Sequence, residues 1–238
     1  MALNEDLFER IGNEFAFKFR ISNMYMNEGE PYYLHSPFPT KPNSVFFGPD
    51  TYLYLEYLKS VSIAPRTVVD VCCGGGAGAI HIARQFPNAK VTGLDLNAEA
   101  LKLARVNAHM TGVQVEFVES DLFERSPNAV ELIVSNTPYI AGAEGVALYA
   151  DGGSSGLELS LRIVDQGMKR LVSGGLLVIY TGVGIPLSGQ DPFREHLRTW
   201  DLLDYRVLHP DMWPEEMERK EYANVGRIQV VGATIRKP

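Results

Sequence analysis

Four places in the 238-residue sequence set ligand-holding side chains directly after short apolar runs. The first is Asp70-Val71-Cys72-Cys73-Gly74-Gly75-Gly76-Ala77-Gly78. Gly74 and Gly76 let the backbone approach a ligand closely and turn straight into a helix. A glycine cluster can also mark only a tight turn, and Gly74-x-Gly76-x-x-Ala79 fits the dinucleotide fingerprint. Asp70 bears on that choice. A carboxylate at the end of the run suits a ligand with a cationic amino-acid group and repels a pyrophosphate. Asp95 closes the run Val91-Thr92-Gly93-Leu94-Asp95 before Leu96, where it can accept from two ribose hydroxyls; a nicotinamide dinucleotide would use it equally. Asp121, in Glu119-Ser120-Asp121-Leu122-Phe123, is placed to accept from an adenine amino group while Leu122 packs on the ring. Any one of these acids could be an ordinary cap or loop residue. Three after three successive runs form an ordered pattern. The fourth place is Asn136-Thr137-Pro138-Tyr139, after Val130–Ser135.

These residues need elements to position them. Leu3, Leu7, Phe8, Ile11, Phe15 and Phe19 recur at helical spacing and predict an opening amphipathic helix. Five prolines between Asn27 and Pro49 predict an extended, irregular segment. A helix is expected over Asp50 to Ser60, with Asp50 as its N-cap. Strands are expected at Thr67–Cys73, Ala89–Leu94, Val113–Val118, Val130–Ser135, Leu176–Thr181, Tyr205–His209 and Val225–Ile235. Helices are expected at Ala77–Gln85, at Asn97–Met110 with Asn97 as cap, and at Pro192–Thr199. A further helix over Gly156–Val172 would open on the Ser155/Glu158 capping box and stop at Gly174-Gly175. Strands alternating with helices imply a mostly parallel, Rossmann-like α/β sheet covered on both faces. Ligands of such sheets sit at the carboxyl ends of the strands, where strand order reverses, and the four sites above all follow strands.

Composition narrows the class. Hydrophobic residues make up 45% of the chain, enough for one sizeable core. The net charge of −7 weighs against a broad nucleic-acid footprint, which Lys and Arg would have to supply. Cys72 and Cys73, the two cysteines, fall short of a zinc set, so no metal is expected. Glu5, Asp6 and Glu9 among the first apolar residues are unlike a secretion signal, and no apolar run approaches the ~20 residues that span a bilayer. A cytoplasmic location is expected.

Asn136-Thr137-Pro138-Tyr139 resembles the Asn-Pro-Pro-Tyr motif of amino-group methyltransferases. Together with VTGLDLNAEALKLARVNAHMTGVQVEFVESDLFE, VELIVSNTPYI, ALYADGGSSGLELSLRIVDQGMKRLVSGGLLVI and VFFGPDTYLYLEYL, it is similar to the HemK-type protein-glutamine methyltransferases, over roughly Val45 to Tyr180. The resemblance implies a seven-stranded class I fold and S-adenosylmethionine as cofactor. Asp70, Cys72, Gly74, Gly76, Asp95, Leu96, Asp121, Leu122 and Asn136 would hold the cofactor, and Asn136, Thr137, Pro138 and Tyr139 the acceptor nitrogen. Such a nitrogen has a delocalised lone pair. It becomes a nucleophile when its N–H groups are held, one by the Asn136 side-chain oxygen and another by a backbone carbonyl near Thr137, with Tyr139 packed on the planar group. Four departures stand out: Thr137 for the first proline, Cys72 for a glycine, Gly78 later than the pattern needs, and Glu131 for an aspartate. The part before the sheet is short for the release-factor enzymes, and Pro210–Tyr222 is long.

The expected organisation is residues 1–62 as a helical, proline-rich segment with a possible acceptor lid, and 63–238 as the catalytic domain. Tyr25, Tyr32, Tyr33, His35 and Phe38 could form that lid or pack the segment onto the sheet. His81 is expected to be packed. His209, Asp211 and Trp213 could line the acceptor pocket from the tail, with surface packing the favoured reading, and Glu215–Glu221 is read as a solvated helix. The acceptor is a protein glutamine or a small molecule. An adenine amino group in nucleic acid and an NAD-dependent oxidoreductase are the alternatives. Oligomeric state is not legible.

Overall fold

The computed structural model describes residues 8–11, 14–24, 29–37, 42–142 and 146–238. It opens with two antiparallel hairpins, β1 (Phe8–Ile11) with β2 (Glu14–Phe17), and β3 (Arg20–Asn23) with β4 (Tyr32–His35). The expected N-terminal helix is therefore corrected to strands from Phe8 onward; Leu3 and Leu7 lie outside the described residues. The cause is visible in the sequence. Phe15, Phe17 and Phe19 also alternate at period two, and Gly12-Asn13 between the two strands is a hairpin dipeptide. A glycine inside a helix would cost about 1 kcal/mol.

Helix α1 (Pro49–Leu58) leads into the main sheet: β5 (Thr67–Val71), α2 (Ala77–Gln85), β6 (Lys90–Asp95), α3 (Ala98–Thr111), β7 (Glu116–Glu119), β8 (Val130–Asn136), α4 (Glu158–Arg170), β9 (Leu171–Pro186), α5 (Pro192–Leu197), β10 (Asp201–His209) and β11 (Val225–Arg236). The seven strands lie in the order β10-β11-β9-β8-β5-β6-β7. All are parallel where they pair except β11, which runs antiparallel between β9 and β10. The order reverses between β5 and β8, which opens a crevice beyond their carboxyl ends. Side chains alternate along the buried strands. On β9, Leu176, Val178 and Tyr180 join the core under α1, α2 and α3, while Leu177, Ile179 and Val183 join the core under α4 and α5. No helix among the described residues is long and apolar enough to cross a membrane.

Element ends differ from expectation where side chains settle them. α1 is capped by Gly48, not Asp50, which lies inside the first turn. α4 begins after Leu157 and ends at Arg170, because the buried Leu171 already pairs with Val130 as the start of β9. Gly174-Gly175 is a bend within that strand, bonded on both sides to Lys237. Glu158 does accept from Ser155 N at 3.0 Å and from Ser154 Oγ at 2.5 Å. The charged run after Trp213 forms two short 3-10 turns, Pro214–Glu218 and Lys220–Tyr222, rather than a solvated helix.

One buried side chain bonds the backbone of the β3–β4 hairpin directly to the sheet domain. Asn107, fully buried on α3, accepts from Leu34 N at 2.7 Å and donates to Leu34 O at 3.1 Å, completing the pairing of an edge strand. It also donates to Gly75 O at 2.9 Å, so the hairpin and the glycine loop share one anchor. Asn107→Ala should lower the unfolding free energy by about 2 kcal/mol, since buried backbone groups lose their partners. Hydrogen exchange at the Leu34 amide should accelerate in parallel; unchanged protection there would refute the anchoring role.

Candidate functional site

The crevice holds a cavity of about 510 Å³, within the range of small-molecule sites. Its floor is the β5–α2 loop, which turns through three left-handed residues, Cys72 (φ 58), Gly74 (φ 52) and Gly76 (φ 83). Gly76 caps α2 and packs so closely on Phe117 and Ala104 that an added Cβ would lie 3.0 Å from the Phe117 ring. It stands behind the loop and does not reach the cavity wall, a correction to its expected place among the ligand contacts. Gly78 belongs to α2 and packs against Tyr54 and Asp70.

Asp70 is buried beneath this loop. Oδ2 accepts from Ala79 N at 2.7 Å, and Oδ1 from the Tyr54 hydroxyl at 3.4 Å. Its carboxylate therefore fills the N-terminus of α2, the position at which a helix start would otherwise hold a phosphate. Burial pushes its pKa up to about 7, against the two donors. Asp95 lies half-buried at the tip of β6. One oxygen accepts from Gly74 N at 2.7 Å and the other from Asn97 N at 2.8 Å, leaving lone pairs for a diol in the cavity. Burial raises its pKa too, opposed by those backbone donors. Leu96, Asp121 and Leu122 line the same cavity. Asp121 is exposed, 3.8 Å from the Arg162 guanidinium. Cys72 also lines it, and burial beside Asp95 and Asp70 holds its thiol well above the ordinary range, which keeps it protonated.

The tip of β8 lies across the cavity. The Asn136 side chain lines the wall, and no hydrogen bond engages it among the described residues. Thr137 is turned inward. Its N–H donates to Tyr180 O at 3.0 Å, and its hydroxyl joins Ser160 Oγ (2.9 Å), which in turn meets Thr181 Oγ1 at 2.7 Å. The N–H gained by replacing proline is thus satisfied, and Thr137 acts through backbone placement. Pro138 is half-buried in the wall, and its carbonyl is likewise unused among the described residues. Tyr139 lies flat against Gly182, where an added Cβ would fall 2.1 Å from the ring.

A group that the sequence reading missed holds Tyr139 there. Asp50, buried on α1, accepts from the Tyr139 hydroxyl at 2.5 Å and the Tyr180 hydroxyl at 2.6 Å through Oδ1, and from Trp213 Nε1 at 3.2 Å through Oδ2. Trp213 Nε1 also donates to the Tyr139 oxygen at 2.8 Å. Burial raises the Asp50 pKa while the three donors oppose it. Burial and the Asp50 charge hold Tyr139 well above the usual phenol range, so it stays a donor. The signal was present: a polar residue one position after Pro49 on a helix whose apolar face continues through Tyr54 and Tyr57. Trp213, expected as surface packing, lines the cavity instead; His209 and Asp211 do not. Tyr33 and His35 line it from β4, Tyr32 is exposed, and Tyr25 and Phe38 lie outside the described residues. His81 lies on α2, its Nε2 buried without a partner and its pKa pushed down to about 4 by burial.

The strand order, with an antiparallel strand inserted beside the parallel ones, and a cavity across its switch point define a class I methyltransferase fold. The sequence matches the family model described as the methyltransferase small domain over residues 48–197, more than half of its length, and the chain belongs to that family. The release factor glutamine methyltransferase of Deinococcus radiodurans is 39% identical over 140 residues, 54% of this chain and 49% of its own. That of Koribacter versatilis is 32% identical over 169 residues, 64% and 58% of the two chains. A ribosomal protein uL3 glutamine methyltransferase of Neisseria meningitidis is 31% identical over 142 residues, 54% and 45%. The chain spans about half the length of these curated relatives. Among solved structures, the T. thermophilus 16S rRNA N2 G1207 methyltransferase in complex with AdoMet and guanosine aligns with a TM-score of 0.61 at 18% identity, covering 97% of this chain and 53% of that one. A likeness at that identity speaks to the fold alone.

The Asp70 geometry sets a pH dependence. Its folded pKa near 7 exceeds the ordinary 3.8, so the folded protein keeps a proton that the unfolded chain has released. Its contribution to stability is then full below about pH 4 and is lost as pH rises through about 7. Between about pH 5 and about pH 8, the native protein should lose on the order of 2 kcal/mol relative to Asp70→Asn, measured by urea unfolding. Parallel pH profiles for the two proteins would refute the assignment.

Proposed function

We propose that this chain is an S-adenosylmethionine-dependent methyltransferase whose acceptor is the side-chain amide nitrogen of a glutamine in a protein. The observation that carries this reading is the unengaged amide of Asn136, set at the tip of β8 in the same cavity as Asp95. Relatives named for glutamine methylation of release factors and of ribosomal protein uL3 support the choice of acceptor.

The residues present suit a cationic nucleoside. Among the described residues, the cavity is lined by seven carboxyl groups (Asp50, Asp70, Asp95, Asp121, Asp151, Glu215 and Glu216) against the single guanidinium of Arg162. Such a lining favours a sulfonium and an ammonium group and disfavours the two phosphates of a dinucleotide, as does the Asp70 carboxylate already seated at the start of α2. It also disfavours an adenine acceptor embedded in nucleic acid. In this reading Asp95 would take the ribose hydroxyls, Leu96 and Leu122 would flank the base, and Asp121 would accept from its amino group. Asp70 and the Cys72–Gly75 backbone would surround the amino-acid end. S-adenosylmethionine, when bound, supplies a methyl group activated by its positive sulfur.

The chain's own residues prepare the nitrogen. The Asn136 oxygen accepts one N–H of the acceptor amide and the Pro138 carbonyl the other. This holds the plane of the amide and leaves its lone pair to face the methyl carbon. Both acceptors gain strength as positive charge develops on that nitrogen, and they need no reorganisation to do so. The proton becomes acidic on transfer and leaves to water, so no strong base is required. Tyr139 packs against the amide plane, held by Asp50. The β3–β4 hairpin, tied to Gly75 through Asn107, roofs the cofactor end of the cavity.

Asn136→Ala should reduce methyl transfer at least about 100-fold, as loss of a transition-state hydrogen-bond partner does, while leaving S-adenosylhomocysteine affinity within about twofold. Radiolabelled transfer into separated protein, RNA and metabolite fractions, alongside calorimetry with S-adenosylhomocysteine and NAD, checks both halves. Label in RNA alone, or tight NAD binding without the nucleoside, would reject the reading.

A further inference from the structure

The connection between β10 and β11 carries its own set of ligand-facing groups. Trp213 stands in the left-handed region (φ 56, ψ 56), a conformation that a bulky residue holds only when its surroundings impose it. Here they do, through the indole N–H bonds to Asp50 and Tyr139. Phe46 meets the indole edge-on, with centroids 6.3 Å apart, and its ring stacks nearly parallel on Tyr149 at 5.5 Å. Glu215 follows two residues after Trp213, lines the same cavity, is exposed, and has no cation paired with it among the described residues. Its neighbour Glu216 is engaged by Arg219. The one guanidinium of the cavity, Arg162, lies beside Asp121 at the adenine-side acid. Three aromatic rings and a carboxylate with no paired cation among the described residues therefore line the cavity that also holds Asn136 and Tyr139. Aromatic faces and a free carboxylate attract the same partner, a cation, and the carboxylate repels an anion.

Resting on the reading of Asn136 as the clamp of a protein amide, we infer that the β10–β11 connection is an acceptor-recognition element. It selects a polypeptide with a cationic side chain beside the methylated residue, bound across Phe46, Tyr149 and Trp213 with its charge toward Glu215. The net charge of −7 acts in the same direction, drawing basic chains toward the cavity.

The two tryptophans allow a direct test. The buried indole N–H of Trp200 has no partner, so Trp200→Phe removes an unsatisfied donor and leaves Trp213 as the only indole reporter. This variant, saturated with S-adenosylhomocysteine, is titrated with three short peptides: a glutamine flanked by arginines, the same glutamine flanked by glutamates, and the arginine peptide with alanine in place of glutamine. Both arginine peptides should shift Trp213 emission and bind about tenfold tighter than the glutamate peptide at low salt. Adding Glu215→Gln should cut that preference about threefold, a larger change than the one in S-adenosylhomocysteine affinity. Equal binding of the arginine and glutamate peptides, a preference indifferent to Glu215→Gln, or no response to any peptide would overturn the inference. Arginine preference without methylation of the glutamine peptide would instead count against the amide-clamp reading, so the two fail separately.

Discussion

Seven carboxyl groups facing one cavity, with a single guanidinium among the described residues that line it, is the constraint under which the rest of this structure is arranged. Carboxylates taken out of water without cations must find N–H and O–H donors or lose their charge. Each buried one here has a dedicated set. Asp70 takes the start of α2 and the Tyr54 hydroxyl. Asp95 takes the backbone of the glycine loop and of the α3 cap. Asp50 takes two phenols and an indole. None of these donors brings a positive charge. Burial raises the pKa of all three, Asp70 to about 7, so a cationic ligand that favours their charged forms is the natural counterpart to the crevice.

That arrangement explains the placement of α1. The helix carries Asp50 itself and, one turn on, the Tyr54 hydroxyl that bonds Asp70 of β5, so it serves both buried carboxyl groups at once. Through Asp50 it fixes Tyr139 and reaches Tyr180 on β9 and Trp213 beyond β10. Through Tyr54 it supports Asp70 below the loop. α1 shares its core with the sheet, packing Tyr54, Leu55, Tyr57 and Leu58 among the residues of α2, α3 and β9. A boundary after residue 62 therefore divides the chain by sequence pattern rather than by packing.

The sheet was readable because its signals are local. Short β-branched runs, an asparagine cap at Asn97 and glycine punctuation all act over a few residues, and each strand from Thr67 onward overlaps its expected span, although β7 starts at Glu116 and β9 extends over Leu171–Pro186. The acids after strand tips were readable for the same reason. Two failures share a different cause. Phe15 and Phe19 fit the helical period and, with Phe17, the strand period, and the Gly12-Asn13 dipeptide in the sequence breaks the tie. Asp50 looked like a cap because a cap is the commonest local use of an aspartate beside a helix start. Its true partners, Tyr139, Tyr180 and Trp213, lie far along the chain, and no window of sequence contains them.

The same distinction separates the two ends of the cavity. The end proposed for the cofactor is built from tips of consecutive strands, β5, β6 and β7, and from the loops that immediately follow them. Sequence order and spatial order coincide there, so the site is written as a linear motif. Its acceptor end is assembled from a segment before α1, the tip of β8, the loop after it and the β10–β11 connection, which meet only through tertiary contacts. Substitutions in those connections can change what is bound beside Asn136 without disturbing Asp95 or the glycine loop. A chain can keep the donor-binding half of such a fold while its acceptor half diverges. The β10–β11 connection sets Trp213 and Glu215 against the cavity, and selectivity for what lies beside Asn136 has the physical means to reside there.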